Sequence, residues 1–278
     1  MIALTGVTGK LGGQLARDLS QAGISAKLLA RRPEAVEVLP HTTIHEAYYD
    51  KSEKTVEALS GVDILFIVSA HQSETRVAEH KALIDAAKMA GVSRIIYTSF
   101  FNAKLDSTFT LARDHAQTEN YIKDQGFTYT FIRDNFYMDF FIDLAREYGE
   151  IKGPAGQGRV STVFREDVAG VASAVLKNPK AYENQVLDMT GPESLSLAEI
   201  ATLISKAWNK PITYVQETVP QAYDSRKVWS APQWEVDSWV STYTAIANGE
   251  LATVTNDVEK VLGRKATSLA DYLKEGAR

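Results

Sequence analysis

The sequence predicts an α/β fold, a doubly wound parallel sheet followed by a smaller and mostly helical C-terminal lobe. The apolar run at residues 2–4 stops at a glycine-rich turn, after which Leu11, Leu15 and Leu19 recur at helical spacing. The run at residues 62–68 is almost continuously apolar, as expected for a strand covered by helices on both faces. Strand and helix patterns alternate beyond it, which is typical of a parallel sheet.

The first strand and helix meet in the motif Gly6-x-x-Gly9-x-x-Gly12. The first amides of a helix have no backbone acceptor and its N-terminus is partly positive, so a phosphate group can bind there. Glycine lets a pyrophosphate approach the backbone closely. A strand-to-helix turn without a ligand is the alternative, but the strand and helix on either side favour phosphate binding.

Composition and charge exclude several classes of protein. The 278 residues suffice for one large or two modest domains, and a net charge of -5 without a basic face argues against nucleic-acid partners. The chain has no cysteine, which excludes disulfides and thiolate catalysis and fits a cytoplasmic location. Met1 leads directly into the first predicted strand and no run is long enough to span a membrane, so we expect neither a signal sequence nor a membrane partner.

The second predicted strand, residues 26–30, ends at Arg31-Arg32-Pro33. In dinucleotide-binding units an acid at this point binds the ribose 2'-hydroxyl, whereas arginine accommodates a 2'-phosphate. Arginine suits phosphate because its planar group donates two parallel hydrogen bonds and stays charged. The position therefore predicts NADPH as cofactor in preference to NADH, with a merely solvated arginine pair as the alternative.

Later strand ends add candidate residues. The strand at residues 62–68 is followed by Ser69-Ala70-His71, which should border the cofactor because ligands bind beyond the carboxyl ends of parallel strands. Phe136, Tyr137, Phe140 and Phe141 follow another strand and are predicted to share a helix face. Such aromatic residues form either core or the wall of a site for a flat ring.

We place a Rossmann-type NADP-binding domain at residues 1–190, with residues 134–155 contributing to the acceptor site, and the substrate lobe at residues 191–278. Asp167 is predicted to cap a helix over residues 168–176, and Ser196 begins a helix to Trp208 with a capping box. The tryptophans of the last segment are expected to pack the smaller lobe, and a homodimer interface or a substrate lid is the alternative.

Five segments together resemble the NmrA-like atypical short-chain dehydrogenases, and among them the bacterial type 2 NAD(P)H:quinone oxidoreductases and the triphenylmethane reductases. The resemblance covers nearly the whole chain and is thinner after residue 191. The segments are TGVTGKLGG at 5–13, ARRP at 30–33, AGVSRIIYTS at 90–99, FIRDNFY at 131–137 and REDVA at 165–169.

The resemblance implies roles for individual residues. It places the 2'-phosphate on Arg31, the ribose along residues 69–71 and the nicotinamide near residues 134–137. One departure is Asp134, which follows Arg133 where the family commonly has asparagine, so the role of Asp134 stays open. The implied cofactor-binding residues are Gly6, Thr8, Gly9, Lys10, Leu11, Arg31, Ser69, Ala70, His71, Asp134, Asn135 and Arg165.

Standard short-chain dehydrogenases use a tyrosine with a lysine four residues on. Tyr148 with Lys152 and Tyr223 with Lys227 match this spacing, but neither pair lies in the helix after the fifth strand, which offers His115 and Glu119 instead. A quinone accepts hydride to give a weakly basic phenolate that solvent can protonate, so it needs no positioned acid.

We therefore expect hydride transfer from NADPH to a quinone or a similar electron-poor conjugated acceptor, with Phe136, Tyr137 and Tyr97 lining the acceptor site. The chief alternative is a redox-sensing regulator that binds NADP(H) and a protein partner without turnover. A metal site at His41 and His45 lacks a third ligand, so we predict no metal.

Overall fold

The structure is a computed structural model that describes residues 1–275 of the chain. These residues group into two compact units. The first comprises Met1–Ser99, Asp114–Arg133 and Ala169–Leu187, and the second comprises Phe100–Arg113, Asp134–Val168 and the residues from Asp188 onward. The division at residue 190 stays a prediction of domain organisation, and residues 276–278 of the predicted lobe lie outside the described part.

The strands in residues 1–275 are β1 (Ile2–Leu4), β2 (Ala26–Ala30), β3 (Thr42–Glu46), β4 (Ile64–Ile67), β5 (Arg94–Phe100), β6 (Thr128–Asp134), β7 (Glu150–Gly153), β8 (Arg159–Val160), β9 (Gln185–Met189), β10 (Leu195–Ser196) and β11 (Thr213–Gln216). Seven of them form one sheet in the order β3-β2-β1-β4-β5-β6-β9. Neighbouring strands from β3 to β5 pair in parallel. This sheet confirms the predicted doubly wound α/β fold class.

The register of β1 aligns three strand ends along one edge of the sheet. Leu4 lies opposite Leu28 of β2 and Phe66 of β4. Every residue of β1 and β5 is buried, as expected for strands covered on both faces. Because the strands are parallel, the turns that follow β1, β2 and β4 leave the sheet at the same edge.

Helices connect these strands and build most of the second unit. The α-helices are α1 (Lys10–Gln21), α2 (Glu53–Ala58), α3 (Arg76–Met89), α4 (Thr110–Asp124), α5 (Met138–Tyr148), α6 (Arg165–Lys177), α7 (Leu197–Trp208), α8 (Val219–Ser225), α9 (Gln233–Ala247), α10 (Asp257–Leu262) and α11 (Leu269–Glu275), and 3-10 turns cover Pro33–Ala35, Pro179–Tyr182 and Arg226–Trp229. No helix in residues 1–275 is both long enough and apolar enough to cross a bilayer.

The second unit has its own apolar core and two small sheets. β7 pairs in parallel with β11, and β8 pairs antiparallel with β10. α7 begins at the predicted capping box, since the Ser196 side chain accepts from the amide of Glu199 and the Glu199 carboxylate accepts from the amide of Ser196. Phe141, Ile151 and Ile200 are among the residues of the core that α5, α7 and β7 share.

The predicted capping role of Asp167 is wrong, because α6 begins at Arg165 and places Asp167 in its first turn. The carboxylate is fully buried, and it accepts hydrogen bonds from the Arg264 guanidinium at 2.7 Å and from the Thr267 amide at 2.7 Å. Asp167 therefore ties the segment before α11 to the start of α6 instead of closing the helix on itself.

Candidate functional site

The turn after β1 requires glycine because of its backbone conformation and its close contacts with neighbouring protein atoms. Gly6 has φ +65°, and a Cβ on it would lie 2.7 Å from the Cβ of Val68. A Cβ on Gly12 would lie 2.4 Å from the carbonyl oxygen of Gly6, because the first turn of α1 packs directly on the end of β1. Gly9 is less restricted, with a Cβ position 3.3 Å from the same oxygen. The motif thus packs the helix start against the strand end.

Within residues 1–275 no side chain caps the start of α1. Its N-cap is Gly9, which has no side chain to accept a hydrogen bond, and its first turn contains no acidic residue. Thr8, Gly9 and Lys10 are exposed, whereas Leu11 is buried. An uncapped helix N-terminus that carries a lysine and no carboxylate is suited to bind an anion.

Arg31 and Arg32 follow β2 at the same edge of the sheet, and both are exposed. Within residues 1–275 neither guanidinium makes a hydrogen bond or an ion pair. The charge of Arg31 acts on the nearby Tyr49 by favouring its ionised form, but burial is the larger effect and raises the pKa of Tyr49 to about 12. Two arginines without partners leave donors that can bind a phosphate.

Thr5 and Tyr49 fasten three strand ends to one another. The amide of Val68 donates to Thr5 Oγ1 over 3.0 Å, and Thr5 Oγ1 lies 2.7 Å from the Tyr49 hydroxyl. That hydroxyl in turn donates to the carbonyl oxygen of Val68. The backbone around the glycine turn is therefore fixed by the side chain that directly follows β1 and by one from the segment after β3.

Residues 69–71 follow β4, as predicted, and two of them are held by their backbones. The Ser69 amide donates to Thr98 Oγ1 over 2.8 Å, and the Ala70 amide donates to His80 Nε2 over 2.9 Å. His71 is exposed. The loop thus presents His71 to solvent while its first two residues are anchored in the first unit.

Tyr97 lies in a buried polar cluster instead of on a surface. Its hydroxyl lies 2.9 Å from His115 Nδ1, and the ring of His80 packs edge-on against it at 5.5 Å. Its side chain is fully buried, and burial raises its pKa. This position does not favour contact with an acceptor, and the role of Tyr97 in the acceptor site stays a prediction.

His115 and Glu119 of α4, which stand where a tyrosine and a lysine were sought, also make structural contacts. Glu119 accepts from Ser99 Oγ at 2.5 Å and from Arg133 Nε at 2.7 Å, and burial lowers the pKa of His115 well below its usual value. Of the two chance pairs, Lys152 lies in β7 beyond the end of α5, and Lys227 pairs with Asp224.

In the second unit Tyr137 is surrounded by a cluster of acidic, aromatic and cationic side chains. The Arg165 guanidinium lies over the Tyr137 ring, 4.0 Å from its centroid, and pairs with Asp139 at 2.9 Å. Asp139 also accepts from the Tyr272 hydroxyl at 2.5 Å. Burial raises the pKa of Tyr137 well above 10, and the charge of Asp134 and a hydrogen bond to it act in the same direction. The Tyr137 hydroxyl is therefore neutral and donates to Asp134.

The prediction that Phe136 and Tyr137 share a helix face with Phe140 and Phe141 is wrong at its start. Tyr137 has an extended backbone and is the N-cap of α5, which begins at Met138. Phe136 stacks on Phe140 at 5.4 Å, with 37% of Phe140 exposed, whereas Phe141 is buried. The aromatic residues thus divide between core and surface.

Asn135 has every polar side-chain atom satisfied within the second unit. Its Nδ2 donates to Ser161 Oγ at 3.0 Å and to the Leu251 carbonyl at 3.1 Å, and its Oδ1 accepts from the Phe136 amide at 2.8 Å. It is 1% exposed. These contacts fix the backbone that precedes Phe136 and Tyr137, and direct cofactor binding by Asn135 stays a prediction.

The structure brings the predicted residues together in two groups. The first unit gathers the glycine turn, Arg31 and residues 69–71 along one sheet edge, and the second gathers residues 134–137 with Arg165. In residues 1–275 no group of three histidine, acidic or cysteine side chains converges as metal ligands.

Sequence reasoning missed Arg76 and His80, which contact the loop after β4. A signal was present, because Arg76 and His80 stand four residues apart and continue the buried stripe of Ile84 and Ala87 on α3. Two polar residues in an otherwise apolar helix stripe indicate buried hydrogen bonds. The anchoring roles of Thr5 and Tyr49 had no comparable local signal.

The sheet order β3-β2-β1-β4-β5-β6 and the glycine turn at its point of reversal define a Rossmann-type fold. The model of the NmrA-like family matches residues 1–273. The chain therefore belongs to the NmrA-like family, which confirms the resemblance predicted from the sequence.

Relatives match over the full length. An NAD(P)H azoreductase of Xenophilus azovorans is 32% identical, with 100% of this chain and 98% of the relative covered. The Escherichia coli NADPH-dependent quinone oxidoreductase in complex with NADPH is 29% identical, covers 99% of each chain and has a TM-score of 0.88. The Citrobacter triphenylmethane reductase in complex with NADP(H) is 26% identical with a TM-score of 0.83, again over 99% of each chain.

Proposed function

We propose that this chain is an NADPH-dependent oxidoreductase that reduces a quinone or a similar electron-poor conjugated aromatic acceptor. One observation carries the proposal. The start of α1 and Arg31, neither of which has a side-chain partner among the described residues, lie at the ends of two adjacent parallel strands. A helix N-terminus and an arginine so placed match the diphosphate and the 2'-phosphate of NADPH.

The residues of the first unit fit this cofactor. Thr8, Gly9 and Lys10 are exposed at the start of α1, where the helix N-terminus and the lysine charge can bind a diphosphate. We assign the diphosphate to Gly6, Thr8, Gly9, Lys10 and Leu11, the 2'-phosphate to Arg31, and the ribose to residues 69–71. Asp134, Asn135 and Arg165 stay proposed as residues near the nicotinamide, as the resemblance implies.

The acceptor is proposed to bind against aromatic rings of the second unit. Bound NADPH supplies a hydride, and the chain's part is to hold a flat acceptor and exclude water. Arg165 fixes the Tyr137 ring, and Phe136 packs within an aromatic group that includes Phe100 at 5.1 Å and Phe109 at 5.2 Å. Rings fixed in this way can stack on a flat acceptor without rearrangement.

The proposal needs no tyrosine and lysine acid pair. His115 and Glu119 are buried among protein partners, and the Tyr137 hydroxyl donates to Asp134. A reduced quinone is a delocalised, weakly basic phenolate, so solvent can protonate it after hydride transfer. The names of the relatives, an azoreductase, a quinone oxidoreductase and a triphenylmethane reductase, support acceptors of this conjugated aromatic type.

The test measures NADPH oxidation by the purified protein with a panel of quinones, azo dyes and cationic triphenylmethane dyes. We expect oxidation above background with at least one of these conjugated acceptors and none with a simple aliphatic ketone. Dinucleotide binding without turnover across the panel would contradict the proposal and favour the redox-sensing regulator. The cytoplasmic location and the homodimer stay predictions.

A further inference from the structure

Two buried side chains of α3 hold the peptide groups of Ala70. Its N–H donates to His80 Nε2 over 2.9 Å, and its carbonyl oxygen accepts from Arg76 Nε over 3.0 Å. His80 is fully buried and Arg76 is 5% exposed. A loop at a strand end commonly leaves its backbone groups to water, whereas both groups of Ala70 are held from inside the unit.

The hydrogen-bond pattern defines the state of His80. A backbone amide can only donate, so His80 Nε2 accepts and its proton lies on Nδ1. That Nδ1 lies 2.9 Å from Thr118 Oγ1, which itself donates to the carbonyl oxygen of Asp114. Burial, with a smaller contribution from the charge of Arg76, lowers the pKa of His80 to about 3. The neutral ring therefore carries one acceptor and one donor, each with a partner.

Arg76 is held in the same cluster at some energetic cost. The Arg76 Nη2 atom donates to His115 Nε2 over 3.1 Å. His115 therefore carries its proton on Nδ1 and donates it to the Tyr97 hydroxyl. The carboxylate partner of Arg76, Asp114, lies 3.9 Å away. A buried guanidinium with so distant a counter-ion is poorly compensated, and an apolar residue would serve packing better. An apolar residue could supply neither the hydrogen bond to His115 nor the one to Ala70, and the bond to Ala70 is the one that reaches the loop after β4.

We propose that His80 and Arg76 are positioning residues that hold the loop at residues 69–71 in the conformation that binds the dinucleotide. The inference rests on the proposed function, because it assigns that loop to the ribose. Neither side chain need touch the cofactor. A loop that is already ordered loses less conformational freedom on binding, which strengthens affinity.

The test compares His80→Ala with His80→Gln. Alanine leaves the Ala70 amide without its acceptor, and we expect a rise of about tenfold in the Kd for NADPH. The turnover number at saturating NADPH should stay within about twofold of the wild type, since the loop makes the same contacts with the cofactor once NADPH is bound. Glutamine can accept from Ala70 and donate to Thr118, so it should return the Kd to within about threefold of the wild type.

A second readout needs no ligand. Hydrogen exchange of the Ala70 amide should accelerate in His80→Ala and slow again in His80→Gln. Ile84→Val, a mild core change one turn further along α3, controls for loss of stability and should alter neither the exchange nor the Kd. Should His80→Ala fail to fold, Arg76→Met carries the test, because it keeps the side-chain length and removes the donors, with the same rise in Kd expected.

The results distinguish a failure of the positioning role from a failure of the proposed function. If the wild type binds no NADPH, the proposed function fails and this role fails with it. If the wild type binds NADPH and His80→Ala binds it equally well, or if the exchange of the Ala70 amide does not change, only the positioning role is overturned.

Discussion

The guanidinium of Arg165 lies 4.0 Å from the centroid of the Tyr137 ring while it pairs with Asp139. Arg165 begins α6 and Asp139 lies in the first turn of α5, so the ring is held between the starts of two helices. A cation over an aromatic face contributes about 0.5 to 2 kcal/mol, depending on its burial. The Tyr137 side chain is thus a fixed surface rather than a mobile one.

Replacing Tyr137 with alanine tests whether that surface binds the acceptor. We expect kcat/KM for the acceptor to fall about tenfold, because ring stacking adds about 0.5 to 1.5 kcal/mol beyond burial of area. Steady-state rates with the best acceptor of the panel measure the effect. Tyr148→Ala, which removes an exposed ring from the end of α5, is the control. Equal losses in the two variants would argue against a specific role for Tyr137.

Gly12 and Gly13 form a matched pair at the start of α1. Gly12→Ala places a Cβ 2.4 Å from the carbonyl oxygen of Gly6, so α1 must move away from β1. We expect a destabilisation of about 1 to 3 kcal/mol together with weaker NADPH binding. A Cβ on Gly13 meets its nearest backbone atom at 3.1 Å, and Gly13→Ala should stay within about 1 kcal/mol of the wild type.

Urea unfolding and NADPH titration of both glycine variants provide the measurements. If Gly12→Ala were as stable as Gly13→Ala and bound NADPH normally, the close packing of α1 on β1 would not be required for the site.

Acid should destabilise the protein through its buried histidines. Burial lowers the pKa of His80 to about 3, whereas a histidine in the unfolded chain has its ordinary pKa of about 6.5, so between these values only the unfolded state binds the proton. Stability therefore falls as the pH falls through this window, with a slope that approaches about 1.4 kcal/mol per pH unit for each such histidine. The pKa of His115 is lowered in the same direction.

Unfolding in urea at pH 7.5, 6 and 5 checks this dependence. His80→Gln removes one titrating group and should make the loss of stability with acid less steep than in the wild type. Curves of wild type and His80→Gln that run parallel over this range would show that His80 does not titrate as the structure requires.

Asn135 gives a stability prediction that bears on its proposed cofactor role. Asn135→Ala leaves two hydrogen-bond acceptors and the Phe136 amide without this partner, and we expect a cost of about 2 to 4 kcal/mol in the free energy of unfolding. Ser161→Ala, which removes one of its partners, should cost about 1 kcal/mol. Loss of NADPH affinity with full stability would instead indicate direct contact between Asn135 and the cofactor.

The parts of the site that sequence could predict are those set by local spacing. Arg31 follows a strand whose bounds, Ala26–Ala30, match the prediction, because a short apolar run gives way to two arginines and a proline that mark its end. The Ser196 capping box is likewise a signal contained within four residues. The family resemblance depends on the same local motifs.

What sequence could not predict depends on long-range partners. Asp167 has the residue type of a helix cap, but its carboxylate is used by Arg264 and Thr267, about a hundred residues further along the chain. The spacing predicts that Phe136 and Tyr137 belong to a helix. Tyr137 instead pairs with Val163 in a single β-bridge, so α5 begins only at Met138. Tertiary contacts of this kind override local preference.

The assignment of the 2'-phosphate to Arg31 is the central claim, and steady-state rates with NADPH and NADH in parallel test it most directly. We expect the wild type to prefer NADPH and Arg31→Ala to lose that preference through a fall of about ten- to a hundredfold in kcat/KM for NADPH. Arg17→Ala removes the same charge from the same unit at an arginine paired with Glu37, and it should keep the preference. An unchanged preference for NADPH in Arg31→Ala would contradict the assignment.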